Sequence, residues 1–142
     1  EFRRVLFRSL NSASILPAAQ RQINALGKAL GGKLLNHCSI RLTGHTDATG
    51  NANDNLRLSQ QRASAVKRQL VKQFNILPTR LASLGKGERQ LLDKLAPNDA
   101  RHRRVEISLV NIEQCKSVAK KYRKQQHKKV TKDKDGRLNI DW

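Results

Sequence analysis

Positions 55, 59, 62, 66 and 70 are separated by steps of four, three, four and four. That spacing keeps side chains on one face of an α-helix. The residues there are Asn55, Ser59, Arg62, Val66 and Leu70, with Ala63 and Phe74 at the stripe's edge. The second half of the stripe is ordinary core-facing material. The first two turns are polar and include an arginine. A buried guanidinium without partners costs several kcal/mol, so this part of the face is expected to meet a pocket or a partner. The helix is expected to run from about Asn53 to Phe74, with Asn53 or Asp54 as its cap.

The segments around this helix set the fold class. Pro17 suits a first helical turn, Ala19, Ile23, Leu26 and Leu30 repeat at helical spacing, and Gly31-Gly32 suits the stop. The stretch CSIRLTG alternates as a short strand, with Ile40 and Leu42 on one face. ATGNAND is a turn, in which Gly50 and the Asn/Asp cluster tolerate left-handed backbone. A turn at Pro78 leads to a short strand at residues 81–84, LDKLAPNDARH is a loop, and RRVEISLV is a strand with Val105, Ile107 and Leu109 alternating. Residues 1–9 hold three arginines around an apolar triplet. They read either as a first strand or as a non-native or truncated leader. The resulting order, (β)αβαββ, predicts an α+β sandwich: helices packed on a mixed four-stranded sheet. The domain is expected over residues 10–112, followed at 113–142 by a basic C-terminal extension, either a solvated helix or a disordered arm.

Charge narrows the partners. The 142 residues carry 29 Lys and Arg against 11 Asp and Glu, a net charge of +18. Such a balance favours polyanionic surroundings, with nucleic acid as the usual first candidate. Only 4% of residues are aromatic, so stacking platforms for single strands are scarce. No run approaches the length of a membrane span. The chain has no methionine, so it is expected to be a processed product or a fragment.

The strand before the long helix ends at Gly44-His45-Thr46-Asp47, in the right direction to bring Asp47 to the helix's N-terminal end. Asp47 and Arg62 could form a structural salt bridge. The sharper reading is that both face one cleft and bind a zwitterion, Asp47 taking an ammonium group and Arg62 a carboxylate. Charge-assisted hydrogen bonds contribute about 1.5–3 kcal/mol when shielded, against about 0–1 kcal/mol for an exposed pair. The pocket reading is the one in which these residues matter energetically.

These same residues resemble the OmpA-like peptidoglycan-binding family. Gly44, His45, Thr46, Asp47 and Gly50 match its G-H-T-D-x-x-G motif, and Asn55, Leu58, Ser59, Arg62 and Ala63 match N-x-x-L-S-x-x-R-A. RLASLGKGE and RHRRVEISL resemble two further segments, and the likeness covers about residues 10–111. The resemblance implies non-covalent binding of peptidoglycan through the meso-diaminopimelate of its stem peptide. Asp47 would hold the ammonium and Arg62 the carboxylate, with Thr46, Asn55 and a loop asparagine, Asn11, close to the ligand. It also implies a periplasmic, outer-membrane-associated setting, a parent protein in that envelope, no enzymatic activity, no cofactor and no nucleic acid partner. His102 stands where the family usually has asparagine, which puts the local loop contacts in question.

Other chemistries are weaker. His45, Asp47 and Ser59 lack the nucleophile elbow of a hydrolase. His37, Cys38, His45 and Asp47 are metal-ligand types, but their spacing does not converge on a tetrahedron, so no metal site is expected. Asp133, Asp135 and Gly136 resemble half an EF-hand loop but lack carboxylates at its ends, which favours a charged turn. Cys38 and Cys115 would meet if the last strand runs antiparallel beside the one starting at Ser39, and a periplasmic setting permits a disulfide; the alternative is two free thiols. The remaining rival function is a basic nucleic-acid-binding protein.

Overall fold

The computed structural model describes residues 3–6, 12–128, 130–132 and 138–140. The elements are β1 (Arg3–Leu6), α1 (Pro17–Gly31), β2 (Ile40–His45), α2 (Ala52–Phe74), β3 (Leu81–Gly85), β4 (Arg104–Leu109), α3 (Ile112–Lys128), β5 (Val130–Lys132) and β6 (Leu138–Ile140). The first four strands form one sheet in the order β1-β4-β2-β3. β4 runs antiparallel to both its neighbours, and β2 and β3 run parallel. This is the mixed four-stranded α+β arrangement that the pattern predicts. Residues 3–6, within the segment read either as a strand or as a leader, form one of the two edge strands of this sheet. β5 and β6 form a separate antiparallel pair.

The core lies between the helices and one face of the sheet. Ile40 and Leu42 of β2, Leu81 of β3 and Val105 and Ile107 of β4 meet Ala19, Ile23, Leu26 and Leu30 of α1 and Ala63, Val66 and Leu70 of α2. The period of 3.6 in the helices and of 2 in the strands puts these apolar residues on facing surfaces. Leu109 breaks the expected alternation: it ends β4 and is exposed.

One local expectation is corrected, and two open alternatives are decided. The N-cap of α2 is Asn51, not Asn53 or Asp54; its side chain accepts from the Asn53 and Asp54 N–H groups at 2.8 and 3.3 Å. A cap must sit outside the helix with extended backbone to reach those donors, and Asn51 has φ −82° and ψ 133°. The segment from Ile112 is helical, and Cys115 at its start is joined to Cys38 by a disulfide with a Cα–Cα distance of 5.0 Å. The antiparallel β2–β4 pairing, in which Ile40 opposes Leu109, brings the two cysteines to the same end of the sheet. Asp133, Asp135 and Gly136 lie outside the described residues.

Candidate functional site

The site forms at the end of the sheet where β2 stops, β4 starts and α2 begins. The stripe read from the sequence is the buried face of α2: Asn55, Ser59, Arg62, Val66 and Leu70 are all buried. Its polar half packs against the ends of β2 and β3. The Ser59 hydroxyl donates to the Leu56 carbonyl at 2.7 Å and accepts from the Gly87 N–H at 2.8 Å. Helix and strand approach so closely that a Cβ on Gly44 would lie 1.9 Å from the Ser59 carbonyl oxygen.

Asp47 sits in the turn between β2 and α2. Its Oδ1 accepts from the Thr49 N–H at 2.9 Å, an Asx-turn that orients the carboxylate. Asn55 Nδ2 donates to the carbonyls of Asp47 and Thr49 at 3.3 and 3.1 Å, so the first turn of α2 clamps the loop. The other carboxylate oxygen, Oδ2, pairs with Arg103 Nη1 at 2.7 Å. Burial pushes the Asp47 carboxyl up. The bonds from Arg103 and Thr49 outweigh this and hold it below its ordinary value, so it is a carboxylate at neutral pH.

Arg62 is fully buried. Its Nε donates to the Ser12 carbonyl at 3.1 Å and Nη1 to the His45 carbonyl at 3.3 Å. Burial lowers its pKa to about 10, helped by the nearby Arg103 charge and opposed by Asp47. It therefore stays cationic at neutral pH. Asp47, Arg62 and Arg103 thus form one electrostatic cluster. The arrangement differs from an open cleft with Asp47 and Arg62 on opposite walls: both are covered, and Arg103 pairs with the carboxylate. The physical reason lies in the strand register. His45 opposes Arg104 in the β2–β4 pair, so Arg103 reaches the turn that follows β2. The second arginine in the RHRR segment was the signal for it, legible only once that pairing is known. Thr46 is buried beside this cluster, with its Oγ1 unpartnered among the described residues. Asn11 lies outside the described residues.

The opposite face of the sheet carries a second polar group. His45 is fully buried, 3.5 Å from Glu106, and Glu106 accepts from Arg104 Nε at 2.8 Å. Arg104 also donates to the carbonyls of His102 and Gln90. His102 answers the question its sequence position raised. It is buried, with Nδ1 accepting from the Leu92 N–H at 3.0 Å and Nε2 placed 2.8 Å from the Ala96 carbonyl. That geometry selects the neutral tautomer protonated at Nε2. The loop between β3 and β4 is thereby fastened over the site, and the Ala48 N–H reaches its Pro97 carbonyl at 2.8 Å.

Burial, then the Arg104 charge, lower the His45 pKa to about 4, against the opposing pull of Glu106. The unfolded chain binds this proton near pH 6.5. Stability from neutral His45 is therefore complete above about pH 6.5 and is lost as pH falls towards 4, with an upper bound on the order of 3 kcal/mol. Thermal melts across that window should show a steeper fall for the wild type than for His45→Asn. Equal slopes would remove His45 as the cause.

Among the described residues no group of three or more His, Cys, Asp or Glu is placed to hold a metal ion, and no helix is long and apolar enough to cross a membrane. A shallow cavity of about 390 Å³, lined by Asp54, Asn55, Arg57, Leu58 and Gln61, opens beside the first turns of α2.

The sequence matches the OmpA family over residues 7–104. It is 33% identical over 100 residues to the probable lipoprotein YiaD of Escherichia coli K12, covering 70% of this chain and 45% of that protein. It is 40% identical over 74 residues to outer membrane protein A of Bordetella avium, covering 51% of this chain and 38% of that protein. The chain thus spans less than half the length of these relatives. Among solved structures, the peptidoglycan-associated lipoprotein from Burkholderia pseudomallei superposes with a TM-score of 0.65 at 25% identity, covering 76% of this chain and 90% of that one. The C-terminal domain of Helicobacter pylori MotB superposes with a TM-score of 0.67 at 21% identity, covering 84% and 96%, a likeness of fold.

Proposed function

Because the chain belongs to the OmpA family, we propose that it binds peptidoglycan non-covalently and recognises the meso-diaminopimelate of the stem peptide. The observation that carries this reading is the juxtaposition of an ionised Asp47 and a cationic Arg62 at one end of the sheet, each oriented by backbone hydrogen bonds. Asp47 takes the ammonium group of the ligand and Arg62 its carboxylate. Thr46 and Asn55 border the same turn. Arg103 holds the Asp47 carboxylate in place and shares it with the incoming ammonium. The ligand's carboxylate meets Arg62 where the Ser12 carbonyl now lies, so the segment leading into α1 gives way on binding.

The module is a binder, not an enzyme. It tethers an envelope protein to the wall, as suits the lipoprotein and outer-membrane relatives. A single zwitterionic epitope supports an affinity in the range of roughly micromolar to millimolar. Repetition of that epitope along the polymer supplies retention through effective concentration.

The chemistry predicts a sharp specificity. Diaminopimelate is lysine with a carboxylate added at the carbon bearing the side-chain amine. Walls built with lysine offer Asp47 its ammonium but leave Arg62 without an anion. Co-sedimentation should therefore be weaker by about tenfold or more with lysine-type walls than with diaminopimelate-type walls, since one charge-assisted contact is lost. Equal binding to both would exclude the zwitterion reading. Tighter binding to duplex DNA than to either wall, at near-physiological salt, would favour the nucleic-acid alternative.

A further inference from the structure

The opposite end of the sheet, where β2 and β3 start and β4 stops, carries a chemistry that the wall site does not use. It is a built surface. The Val110 N–H donates to the Ser39 carbonyl at 3.0 Å. The Asn111 side chain accepts from the Ser39 N–H at 2.9 Å and donates to the His37 carbonyl at 3.3 Å. Arg80 gathers the loops by donating to the carbonyls of Leu30, Leu35 and Cys38 at 3.0, 2.7 and 2.9 Å.

Six large apolar side chains are exposed among the described residues, and five of them belong to this end: Leu34, Leu77, Leu109, Val110 and Ile112. Their exposure runs from 37% at Leu109 to 63% at Leu77. The same end bears α3, pinned at Cys115 to Cys38. Lys116, Lys120 and Lys121 of that helix are exposed. Its sequence holds six Lys and Arg against one acidic residue, Glu113.

We propose that this end docks onto an anionic phospholipid bilayer. Apolar side chains fixed beside a lysine-rich helix match the two attractions that hold a protein at a membrane surface. Leucine and valine enter the boundary between headgroups and acyl chains, and lysines meet lipid phosphates. Nucleic acid fits less well, because a phosphate backbone gains nothing from exposed Leu77 or Val110. A second copy of the chain fits less well too, since the lysines of both copies would face each other. The six residues of β2 separate this end from the wall site by about 20 Å, at the usual strand rise. Wall and lipid would thus be held at opposite poles of one module. The docking surface is independent of the diaminopimelate reading.

The test uses the whole chain and sedimentation with large vesicles. Binding is expected to phosphatidylglycerol–phosphatidylethanolamine vesicles and not to pure phosphatidylcholine, and is expected to weaken as salt rises. Each lysine near an anionic surface contributes about fivefold, so the triple variant Lys116→Gln, Lys120→Gln, Lys121→Gln should lose about a hundredfold. Leu77→Ser with Val110→Ser should lose about tenfold while leaving net charge unchanged. Reduction of the disulfide should weaken binding by releasing α3 from this end. Asp47→Ala should leave vesicle binding intact, which keeps the outcome separate from wall recognition. The proposal is overturned by any of four results: no binding to the anionic vesicles, equal binding to phosphatidylcholine, indifference to the apolar pair, or self-association through this surface in the absence of lipid.

Discussion

Asp47→Asn is expected to reduce peptidoglycan co-sedimentation by on the order of 10- to 100-fold while the protein stays folded. The substitution keeps the side chain's shape and an oxygen able to accept from the Thr49 N–H. It removes the negative charge that a ligand ammonium would meet. A shielded charge-assisted hydrogen bond contributes about 1.5–3 kcal/mol, and each 1.4 kcal/mol is tenfold in affinity. Arg62→Lys should give a loss of similar size. A lysine keeps the charge but cannot present a planar fork to a carboxylate. It also cannot reproduce the geometry of the bonds to the Ser12 and His45 carbonyls, so its thermal stability must be measured alongside. The decisive comparison is with an exposed basic position such as Arg68→Gln on α2. If that change weakens wall binding as much as Asp47→Asn does, general electrostatics, not a zwitterion site, holds the wall. Asp47 lies below its ordinary carboxyl range. Its contributions to folding and binding are therefore present above about pH 4 and fade only as the pH falls through its lowered folded value. Wall binding that vanished between pH 7 and pH 5 would point away from Asp47.

Gly44→Ala should be the most damaging single methyl addition. The new Cβ would stand 1.9 Å from the Ser59 carbonyl oxygen and 2.8 Å from its carbon. Both are backbone atoms of α2, so no side chain can rotate to make room. Helix and sheet would have to separate along the α2–β2 contact. Overpacking of this kind costs about 3 kcal/mol or more, which for a chain of this size lowers Tm by on the order of 10 °C. Gly31→Ala is the control, because a Cβ there meets nothing within 4 Å. It should be neutral within about 0.5 kcal/mol. A Gly44→Ala protein as stable as the wild type would mean that α2 does not approach β2 as closely as described. The two experiments are linked. The close approach at Gly44 brings α2, and with it Arg62 and Asn55, down onto the end of β2.

Much of this was legible in the residues themselves. Helix and strand periodicities are local properties. The spacing of Ala19, Ile23, Leu26 and Leu30, and that of Asn55, Ser59, Arg62, Val66 and Leu70, identified both buried faces, because a helix turns by a constant angle whatever it packs against. The alternation in β2 and β4 and the proline and glycine punctuation likewise follow from backbone sterics. Asp47 and Arg62 stood out because a polar start to a core-directed stripe is itself unusual.

What the tertiary structure alone decided depends on which strands lie side by side. The order β1-β4-β2-β3 sets the register that opposes His45 with Arg104 and delivers Arg103 to the Asp47 carboxylate. No spacing along the chain encodes that contact, since 56 residues separate the partners. The same pairing brings Cys38 to Cys115 and places five of the six exposed large apolar residues among the described ones at one pole. His102 became a loop fastener only when its ring fell between Leu92 and Ala96. Periodicity reports which face of each element is buried; the pairing of distant strands, set by long-range packing, determines which charges meet there.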